Sequence, residues 1–317
     1  MAKINITENR GLLKIEQKAF DDQIKKRIKH GFIPDLRRLR KIPWFYNNVW
    51  RDPEYVKIHW MPKVNFVIEI AKKGGGKVVE LGCGSGYLCL ELARNGLDVL
   101  GIDLSPKSIE VAKKYHSHNF IKKGLGKLSY KCCDINTFNF GTNKFDTVVF
   151  FRTLHHMKDS HLLFRKIYRG LKKNGSIIIC EPIRESFTKE SAEMAAIFRA
   201  LLPTWIPYKE KLKKLCNEKT WDEYVASIYR EYTYKNEFKQ SHMDNKSASR
   251  DAIIKMVNKY FEIKTISYSD AFIDKLIGGV RGKDRYILAR FLKFLDCLMV
   301  NRNLLHPTEI SIYAKKR

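Results

Sequence analysis

Short apolar runs alternate with amphipathic stretches between residues 76 and 181. The nearly continuous apolar runs predict five strands: Lys77–Leu81, Asp98–Asp103, Leu128–Cys133, Thr147–Phe151 and Ser176–Cys180. The stretches between them have helical spacing and predict three helices: Leu88–Arg94, Ser105–Tyr115 and His161–Leu171. "LKKNGS" indicates a helix end, a turn and the start of the last strand. The alternation predicts βαβ units and a mainly parallel sheet with helices on both faces.

The N-terminal segment carries two further helical patterns. One pattern is formed by Leu12, Ala19, Phe20, Ile24 and Ile28, and the other by Tyr55, Ile58, Val64, Val67 and Ile70. Both predict amphipathic helices that pack on the core. The segment between them, residues 33–55, is rich in aromatic and basic residues. It is expected to be surface scaffold or, alternatively, a lid over a pocket.

The pattern changes after Glu181. Residues 186–245 are mostly helical in character and are interrupted by "LPTWIP". A helix is then predicted over Ala248–Tyr260, and strands over Phe261–Tyr268 and Glu309–Ala314. We therefore expect four parts: an N-terminal helical or lid segment (1–75), a core (76–185), a helical cap insertion (186–247) and a C-terminal part that completes the sheet (248–317), with a helical insertion at 270–306.

The last predicted helix carries a wide apolar stripe within "DRYILARFLKFLDCLMV". The stripe is formed by Ile287, Leu288, Phe291, Leu292, Leu295, Leu298 and Met299. It is opposed by Arg290, Lys293 and Asp296, so these three residues are expected on the polar face. Packing against the protein interior is one interpretation. A basic amphipathic helix can also lie on a membrane surface, which leaves peripheral membrane contact as the alternative.

The 317-residue chain has a formal net charge of +26. Residues 1–76 and 77–184 each carry +9, and the remainder carries +8. A nucleic-acid-binding patch would concentrate the basic residues, whereas this excess is spread almost evenly. Anionic small molecules, anionic membranes and a lysine-rich composition explain it as well. Nucleic acid is possible as a partner but is not favoured.

The seven cysteines contain no C-x-x-C pair, so neither a disulfide framework nor a metal site is expected. We find no secretory signal and no run of 18 uninterrupted apolar residues. These features predict a cytoplasmic protein with free thiols.

Three glycines follow the first predicted strand in "VVELGCGSGY". A dinucleotide-binding loop requires G-x-G-x-x-G, but Tyr87 stands where the third glycine belongs and the glycine falls at Gly86. A triphosphate loop requires Lys followed by Ser or Thr, which is absent here. Gly82, Gly84 and Gly86 therefore suit a ligand that lies against bare backbone without a diphosphate.

Three acids end the first three strands. Glu80 needs a partner at the end of a buried strand, either the loop amides or a ligand reached through water. Asp103 is placed to bind the two hydroxyls of a ribose. Asp134 can accept a hydrogen bond from an adenine amino group. Together the acids indicate a nucleoside that carries an uncharged or cationic tail.

Five motifs in order resemble the class I S-adenosylmethionine-dependent methyltransferases: "VVELGCGSGYL", "VLGIDLSPKSIEVAKKY", "CCDI", "FDTVVFFRTLHHM" and "GLKKNGSIIICEP". The resemblance covers about residues 60–185 and the two closing strands, with Asn174 where proline is common. It implies an α/β, Rossmann-like seven-stranded mixed sheet flanked by helices, with helical cap insertions and one antiparallel edge strand.

The same resemblance implies S-adenosyl-L-methionine as cofactor. It places the three loop glycines at the methionine part, Asp103 at the ribose, and Cys133, Asp134 and Ile135 at the adenine. The remaining cofactor-binding candidates are Glu80, Cys83, Leu104 and Phe151.

The methyl acceptor has to be inferred from other residues. His155 and His156 follow the fourth strand, and similar paired histidines occur in relatives that act on sugars and small natural products. One of them is a candidate base for a hydroxyl, and Glu181 is a candidate acid after the fifth strand. Six aromatic residues are candidates for the pocket lining: Trp44, Phe45, Tyr46, Trp50, Trp205 and Tyr208.

The motifs that are missing narrow the choice of acceptor. "FRTL" replaces the [ND]-P-P-[YF] tetrad of enzymes that methylate amino groups, and no Pro-Cys pair is present for attack on cytosine. We therefore expect an enzyme that methylates an oxygen of a small-molecule, sugar or lipid-linked acceptor. Anionic acceptors are among the candidates. The alternatives are a tRNA or rRNA methyltransferase and a non-catalytic cofactor-binding subunit.

Overall fold

The computed structural model describes residues 6–119, 125–157, 160–214, 217–233 and 249–317. Their strands form a single seven-stranded sheet in the order β3-β2-β1-β4-β5-β7-β6. The strands are β1 (Lys77–Leu81), β2 (Asp98–Asp103), β3 (Leu128–Cys132), β4 (Phe145–Phe151), β5 (Leu171–Pro182), β6 (Phe261–Ser269) and β7 (Glu309–Lys316). The expected Rossmann-like mixed sheet is confirmed.

The antiparallel strand corrects one detail of the expectation. β7 runs antiparallel to both β5 and β6, so it lies second from the edge rather than at the edge. β6 is the edge strand and runs in the same direction as β5. The chain reaches this arrangement by placing β6 outermost and returning through β7 into the gap beside β5.

Eleven α-helices are found in the described residues. They are α1 (Ile6–Lys29), α2 (Pro53–Tyr55), α3 (Met61–Gly74), α4 (Tyr87–Arg94), α5 (Pro106–Asn119), α6 (Ser160–Gly170), α7 (Lys189–Leu201), α8 (Tyr208–Lys214), α9 (Glu218–Thr233), α10 (Arg250–Tyr260) and α11 (Arg285–Asn301). A π-helical turn, Val56–Trp60, joins α2 to α3. Part of the predicted helical range, residues 234–248, lies outside the described residues.

The strand period of two explains how the core divides. Val78 of β1 packs with α3 and α4 on one face of the sheet, whereas its neighbours Val79 and Leu81 pack with α6 on the other. A third cluster joins α7, α9 and α11 through residues such as Phe187 and Phe272. None of the described helices is long and apolar enough to span a bilayer.

Several predicted boundaries differ from the structure, and the start of β5 differs most. β5 begins at Leu171, directly after α6, where "LKKNGS" indicated a turn. Leu171 pairs with Phe145 of β4, and Asn174 takes a φ of 64° to bend the strand before Ser176 resumes the regular ladder. The short-range turn signal is thus contained within a longer strand.

Candidate active site

The loop after β1 has left-handed backbone at all three glycines. The φ angles of Gly82, Gly84 and Gly86 are 75°, 51° and 80°. A Cβ at Gly82 would lie 2.2 Å from Thr153 Cγ2, and one at Gly86 would lie 2.6 Å from the Tyr130 hydroxyl. No atom lies within 4 Å of a Cβ at Gly84. Packing therefore requires glycine at the first and third positions, while the second leaves open space for a ligand.

The loop is tied to the end of β2 by one carboxylate. Asp103 Oδ2 accepts a hydrogen bond from the Gly84 amide at 2.8 Å, and Oδ1 accepts one from the Ser105 amide at 2.8 Å. Burial still raises the pKa of Asp103, although both donors lower it. Each carboxylate oxygen can accept a second hydrogen bond, so Asp103 keeps the capacity to bind a diol.

Asp134 begins a turn after β3. Its Oδ1 accepts hydrogen bonds from the backbone amide and the side-chain amide of Asn136, at 2.8 and 3.1 Å. Ile135 is buried and packs into the core beneath the cavity wall. Cys133 is half-buried, and its amide donates to the Asp103 carbonyl at 3.0 Å. This bond links the ends of β2 and β3 at the same edge of the sheet.

Three of the predicted cofactor residues lie beneath the surface. Glu80 is buried, and Oε2 accepts a hydrogen bond from the Cys89 thiol at 2.8 Å. Burial, assisted by the nearby Asp103 carboxylate, raises the pKa of Glu80 to about 8. Burial also raises the pKa of Cys83 to about 11. Phe151 packs edge-on against Trp60 and Tyr87.

The two histidines lie in a 3₁₀ turn after β4, and a buried glutamate holds this turn. Glu181 Oε1 accepts hydrogen bonds from the amides of Thr153 and Leu154, at 2.6 and 2.7 Å. Its Oε2 lies 2.7 Å from Nδ1 of the buried His155. Burial opposes ionisation of Glu181, but the charge and hydrogen bond of His155 and the two amides outweigh it, so its pKa is lowered.

The second histidine contacts the N-terminal helix instead. His156 Nδ1 lies 3.2 Å from Glu16 Oε1, and Phe20 packs edge-on against the imidazole. The rings of His155 and His156 are 4.1 Å apart and tilted by 39°. The adjacent histidines therefore have different partners, Glu181 on β5 and Glu16 on α1.

A cavity of about 2210 Å³ joins these features. Eight of the predicted site residues line it: Gly82, Gly84, Asp103, Leu104, Asp134, Ile135, His155 and His156. The other six support the lining from behind or beside it: Glu80, Cys83, Gly86, Cys133, Phe151 and Glu181. Single-ligand pockets measure about 300–1,000 Å³, so this volume accommodates two reactants.

A family model described as a methyltransferase domain matches residues 72–242. The chain belongs to the class I S-adenosylmethionine-dependent methyltransferases. The match contains the glycine loop, both aspartates, the histidine turn and Glu181. S-Adenosylmethionine is thus the cofactor, as predicted.

Curated relatives of this methyltransferase act on small molecules. The ubiquinone biosynthesis O-methyltransferase of Pelagibacter ubique (strain HTCC1062) is 31% identical over 131 residues, which are 41% of this chain and 51% of that protein. Phosphoethanolamine N-methyltransferase 1 of Triticum aestivum is 30% identical over 138 residues, 42% of this chain and 26% of that protein. The chain thus spans about half of the first relative and about a quarter of the second.

Solved structures extend the likeness over most of the chain, in fold alone. The geranyl diphosphate C-methyltransferase of Streptomyces coelicolor A3(2), solved with Mg²⁺, geranyl diphosphate and S-adenosyl-L-homocysteine, is 15% identical with a TM-score of 0.50. The match covers 84% of this chain and 81% of that one.

The cofactor fits the half of the methyltransferase cavity that lies above β1, β2 and β3. Gly84 offers bare backbone with open space, Asp103 has remaining acceptor capacity, and Asp134 stands beside the apolar Ile135. The bare backbone at Gly84, the carboxylate of Asp103 and the apolar wall beside Asp134 have the chemistry that a methionine tail, a ribose and an adenine require, respectively. The chemical groups of S-adenosylmethionine therefore match the residues that line this half of the cavity.

The other half of the cavity is aromatic and carries charges of both signs, with Glu16, Glu231 and Asp274 among its lining residues. Four of the six aromatic residues expected there do line it: Trp44, Phe45, Tyr46 and Trp50. Trp205 lies behind the wall instead, tilted against Tyr46 at 5.8 Å, and Tyr208 is an exposed residue of α8. Three arginines add positive charge to the lining: Arg27, Arg152 and Arg230.

Residues 1–75 were predicted as a helical or lid segment, but no residue of α1 was named as a site residue. Its helical pattern was interpreted as packing on the core, yet one face of the helix lines the cavity through Glu16, Phe20, Gln23, Ile24 and Arg27. The missed signal was the polar residues Glu16, Gln23 and Arg27, which lie seven and four positions apart on the same face as the apolar residues. In a helix that only packs on a core, a glutamate, a glutamine and an arginine on the packed face would be unfavourable, because burying polar groups costs free energy.

Proposed function

We propose that this chain transfers a methyl group from S-adenosylmethionine to an oxygen of a small-molecule, sugar or lipid-linked acceptor. The observation that carries the proposal is the His155–Glu181 pair, which stands on the wall of a cavity large enough for cofactor and acceptor together. Bound S-adenosylmethionine supplies an electrophilic methyl group. The remaining chemistry, alignment and proton removal, falls to the protein.

His155 is the better candidate for the base. An ionised Glu181 accepts the hydrogen bond from Nδ1–H and so leaves Nε2 as the acceptor nitrogen of a neutral imidazole. Nε2 would take the hydroxyl proton of the acceptor, and the buried carboxylate would stabilise the imidazolium that forms. Glu181 is a positioning residue in this scheme because its two oxygens already hold the turn and the histidine.

The lining of the second half of the cavity supports a compact acceptor. The aromatic residues at 44–50 and α1 enclose the space beside the histidines, and Arg27 and Arg152 suit an acceptor with an anionic or polar group. Relatives that methylate a ubiquinone precursor or phosphoethanolamine favour a small molecule over RNA. They include both O- and N-methyltransferases, so the choice of oxygen rests on the histidine base.

The cofactor half is tested by binding alone. Isothermal titration with S-adenosylhomocysteine should show one site in the wild type and a loss of at least about tenfold in affinity in Asp103→Ala, because the diol loses a charged acceptor. Unchanged affinity in that variant would remove Asp103 from the cofactor site.

The base is tested by substitutions that keep the cofactor half intact. We expect His155→Gln to lower turnover about 10²–10⁴-fold with unchanged S-adenosylhomocysteine affinity. Glu181→Gln should lower it by a comparable factor, because a glutamine that donates to Nδ1 moves the imidazole proton to Nε2. The control is His306→Ala, an exposed histidine outside the cavity lining. Full turnover in both His155→Gln and His156→Gln would refute a histidine base.

The acceptor class is tested with radiolabelled donor. Label should enter the small-molecule or lipid fraction of a cell extract and be lost in His155→Gln. Label in total RNA instead would establish the RNA alternative. No label in any fraction, with intact cofactor binding, would establish a non-catalytic subunit.

A further inference from the structure

The helix α11 is rotated relative to the expectation from its sequence. Asp296 was expected on the polar outer face but is fully buried. Ile287, Phe291 and Phe294 are instead turned to solvent, with exposed fractions of 67%, 56% and 64%. The assignment of Arg290, Lys293 and Asp296 to one outward face was therefore wrong for Asp296 and Lys293.

Hydrogen bonds and an ion pair fix this rotation. Asp296 Oδ1 accepts hydrogen bonds from the amides of Ala271, Phe272 and Ile273, at 2.9, 2.8 and 3.0 Å. Lys293 Nζ lies 2.8 Å from Oδ1 of the buried Asp270. Turning α11 over would leave three buried amides without partners and would remove one of the cations that pair with the buried Asp270, which costs more than the exposure of apolar side chains.

The exposed face is apolar with a basic rim. Residues 287, 291 and 294 follow the i, i+4, i+7 spacing of one helix face and extend along ~10 Å of it. Arg290, which pairs with Glu54 of α2, stands beside them, and Lys283 and Arg302 are exposed at the two ends of the helix. The only acid within α11 is the buried Asp296, and the exposed Asp284 immediately precedes the helix beside Lys283.

A helix that is apolar on both its inner and outer faces is normally covered on both. Two copies of this chain meeting through α11 would bring their basic rims together, and like charges oppose that contact. An anionic surface instead matches the rim and the net charge of +26. An apolar stripe between cationic residues is the arrangement of helices that lie in the bilayer interface.

We propose that α11 binds peripherally to an anionic lipid bilayer, with Ile287, Phe291 and Phe294 inserted at the interface. α11 belongs to the segment between the end of β6 and the start of β7, at the sheet edge where the glycine loop and the histidine turn also lie. Docking through α11 thus holds that edge of the sheet near the membrane. Binding is independent of whether the chain methylates anything.

Vesicle flotation tests the proposal on the whole chain. The wild type should float with vesicles of phosphatidylglycerol and phosphatidylcholine in equal parts, and much less with phosphatidylcholine alone. The double variant Phe291→Ser, Phe294→Ser should bind at least about tenfold more weakly, since two aromatic rings leave the interface. Ile15→Ser on α1, which removes a 60% exposed isoleucine from another helix, is the matched control and should bind like the wild type.

Three outcomes would overturn the proposal. The first is equal flotation of wild type and double variant, and the second is equal flotation with and without phosphatidylglycerol. The third is a concentration-dependent dimer in sedimentation velocity that the double variant abolishes, because this would assign the face to a second copy. S-Adenosylhomocysteine affinity shows that the double variant is folded and separates this result from failure of the methyl-transfer proposal.

Discussion

Two buried carboxylates in this protein differ in pKa because their surroundings differ. Glu181 is buried but ionised, since three donors converge on it. Glu80 is buried with one thiol donor, and its pKa is raised to about 8. Both acids stand at the ends of parallel strands, so position in the fold alone does not set their charge. The charge of His155 and the hydrogen-bond donors that face Glu181 lower its pKa, whereas Glu80 has one thiol donor and the like charge of Asp103 nearby.

Glu80 gives the protein a measurable pH dependence of stability. A carboxyl group whose folded pKa lies above its unfolded value of about 4.3 binds a proton preferentially in the folded state, so the free energy of unfolding falls as pH rises from about 4.3 to 8. Glu80→Gln should remove this component. Urea unfolding at pH 5 and at pH 8 measures it, with the exposed Glu69→Gln as control. A wild type and a Glu80→Gln variant with the same pH slope would contradict the prediction.

At the scale of elements, the sequence predicted best what local pattern determines. β1 and β2 were predicted with their observed bounds, because buried parallel strands are continuous apolar runs. The rotation of α11 was not predicted, because it depends on amides at residues 271–273 that are distant in sequence from Asp296. The place of β7 inside the sheet was missed for the same reason: a strand's neighbours are long-range information.

The site residues show the same difference between local and long-range information. The glycine loop, Asp103 and Asp134 could be found because each lies at or within two residues of the end of its strand. The partner of His155 was named as a candidate acid, but its contact with Nδ1 could be seen only once β4 and β5 were paired. The individual residues of α1 that line the cavity were not named, because nothing local to residues 16–27 indicates which part of the sheet the helix covers.

One aspartate fastens α1 over the cofactor half of the cavity. Asp21 Oδ1 accepts hydrogen bonds from the Ser105 hydroxyl at 2.5 Å and the Lys107 amide at 3.1 Å, at the start of α5. Ser105 in turn donates its amide to Asp103. Asp21 therefore connects the helix over the site to the residue proposed to bind ribose.

Asp21→Ala should loosen α1 without unfolding the sheet. Loss of a capping interaction of this kind costs about 0.5–2 kcal/mol, so we expect a few-fold to about thirtyfold weaker binding of S-adenosylhomocysteine and faster hydrogen exchange in α1. Asp22→Ala is the matched control, because the exposed Asp22 pairs with exposed Lys25 at 3.6 Å on the solvent side of the helix. If both variants exchange at the same rate, Asp21 does not hold α1.

At the scale of the whole molecule, a buried ion network joins segments that are far apart in sequence. Lys63 Nζ of α3 lies 2.5 Å from Asp270 Oδ2, after β6, and 2.6 Å from Glu309 Oε2 of β7. Arg152 after β4 and Lys293 of α11 complete it. Lys63, the adjacent His59 and Lys293 hold the pKa of Asp270 well below its ordinary value despite the opposing effect of burial. The network thereby connects α3, the residue that follows β4, the start of β7 and α11.

The network should make Lys63 far more important to stability than a surface lysine. Lys63→Met leaves Asp270 and Glu309 buried with less compensation, and breaking a buried pair in this way costs about 3–5 kcal/mol of unfolding free energy. Lys57→Met is the control, since Lys57 pairs with Glu54 at the surface at 3.5 Å and such pairs contribute about 0–1 kcal/mol. Urea unfolding of both variants measures the difference. Adding Glu309→Gln to Lys63→Met should recover part of the lost unfolding free energy, because one uncompensated charge is removed. Equal losses in the single and double variants would show that Lys63 acts through packing of its aliphatic chain rather than through its charge.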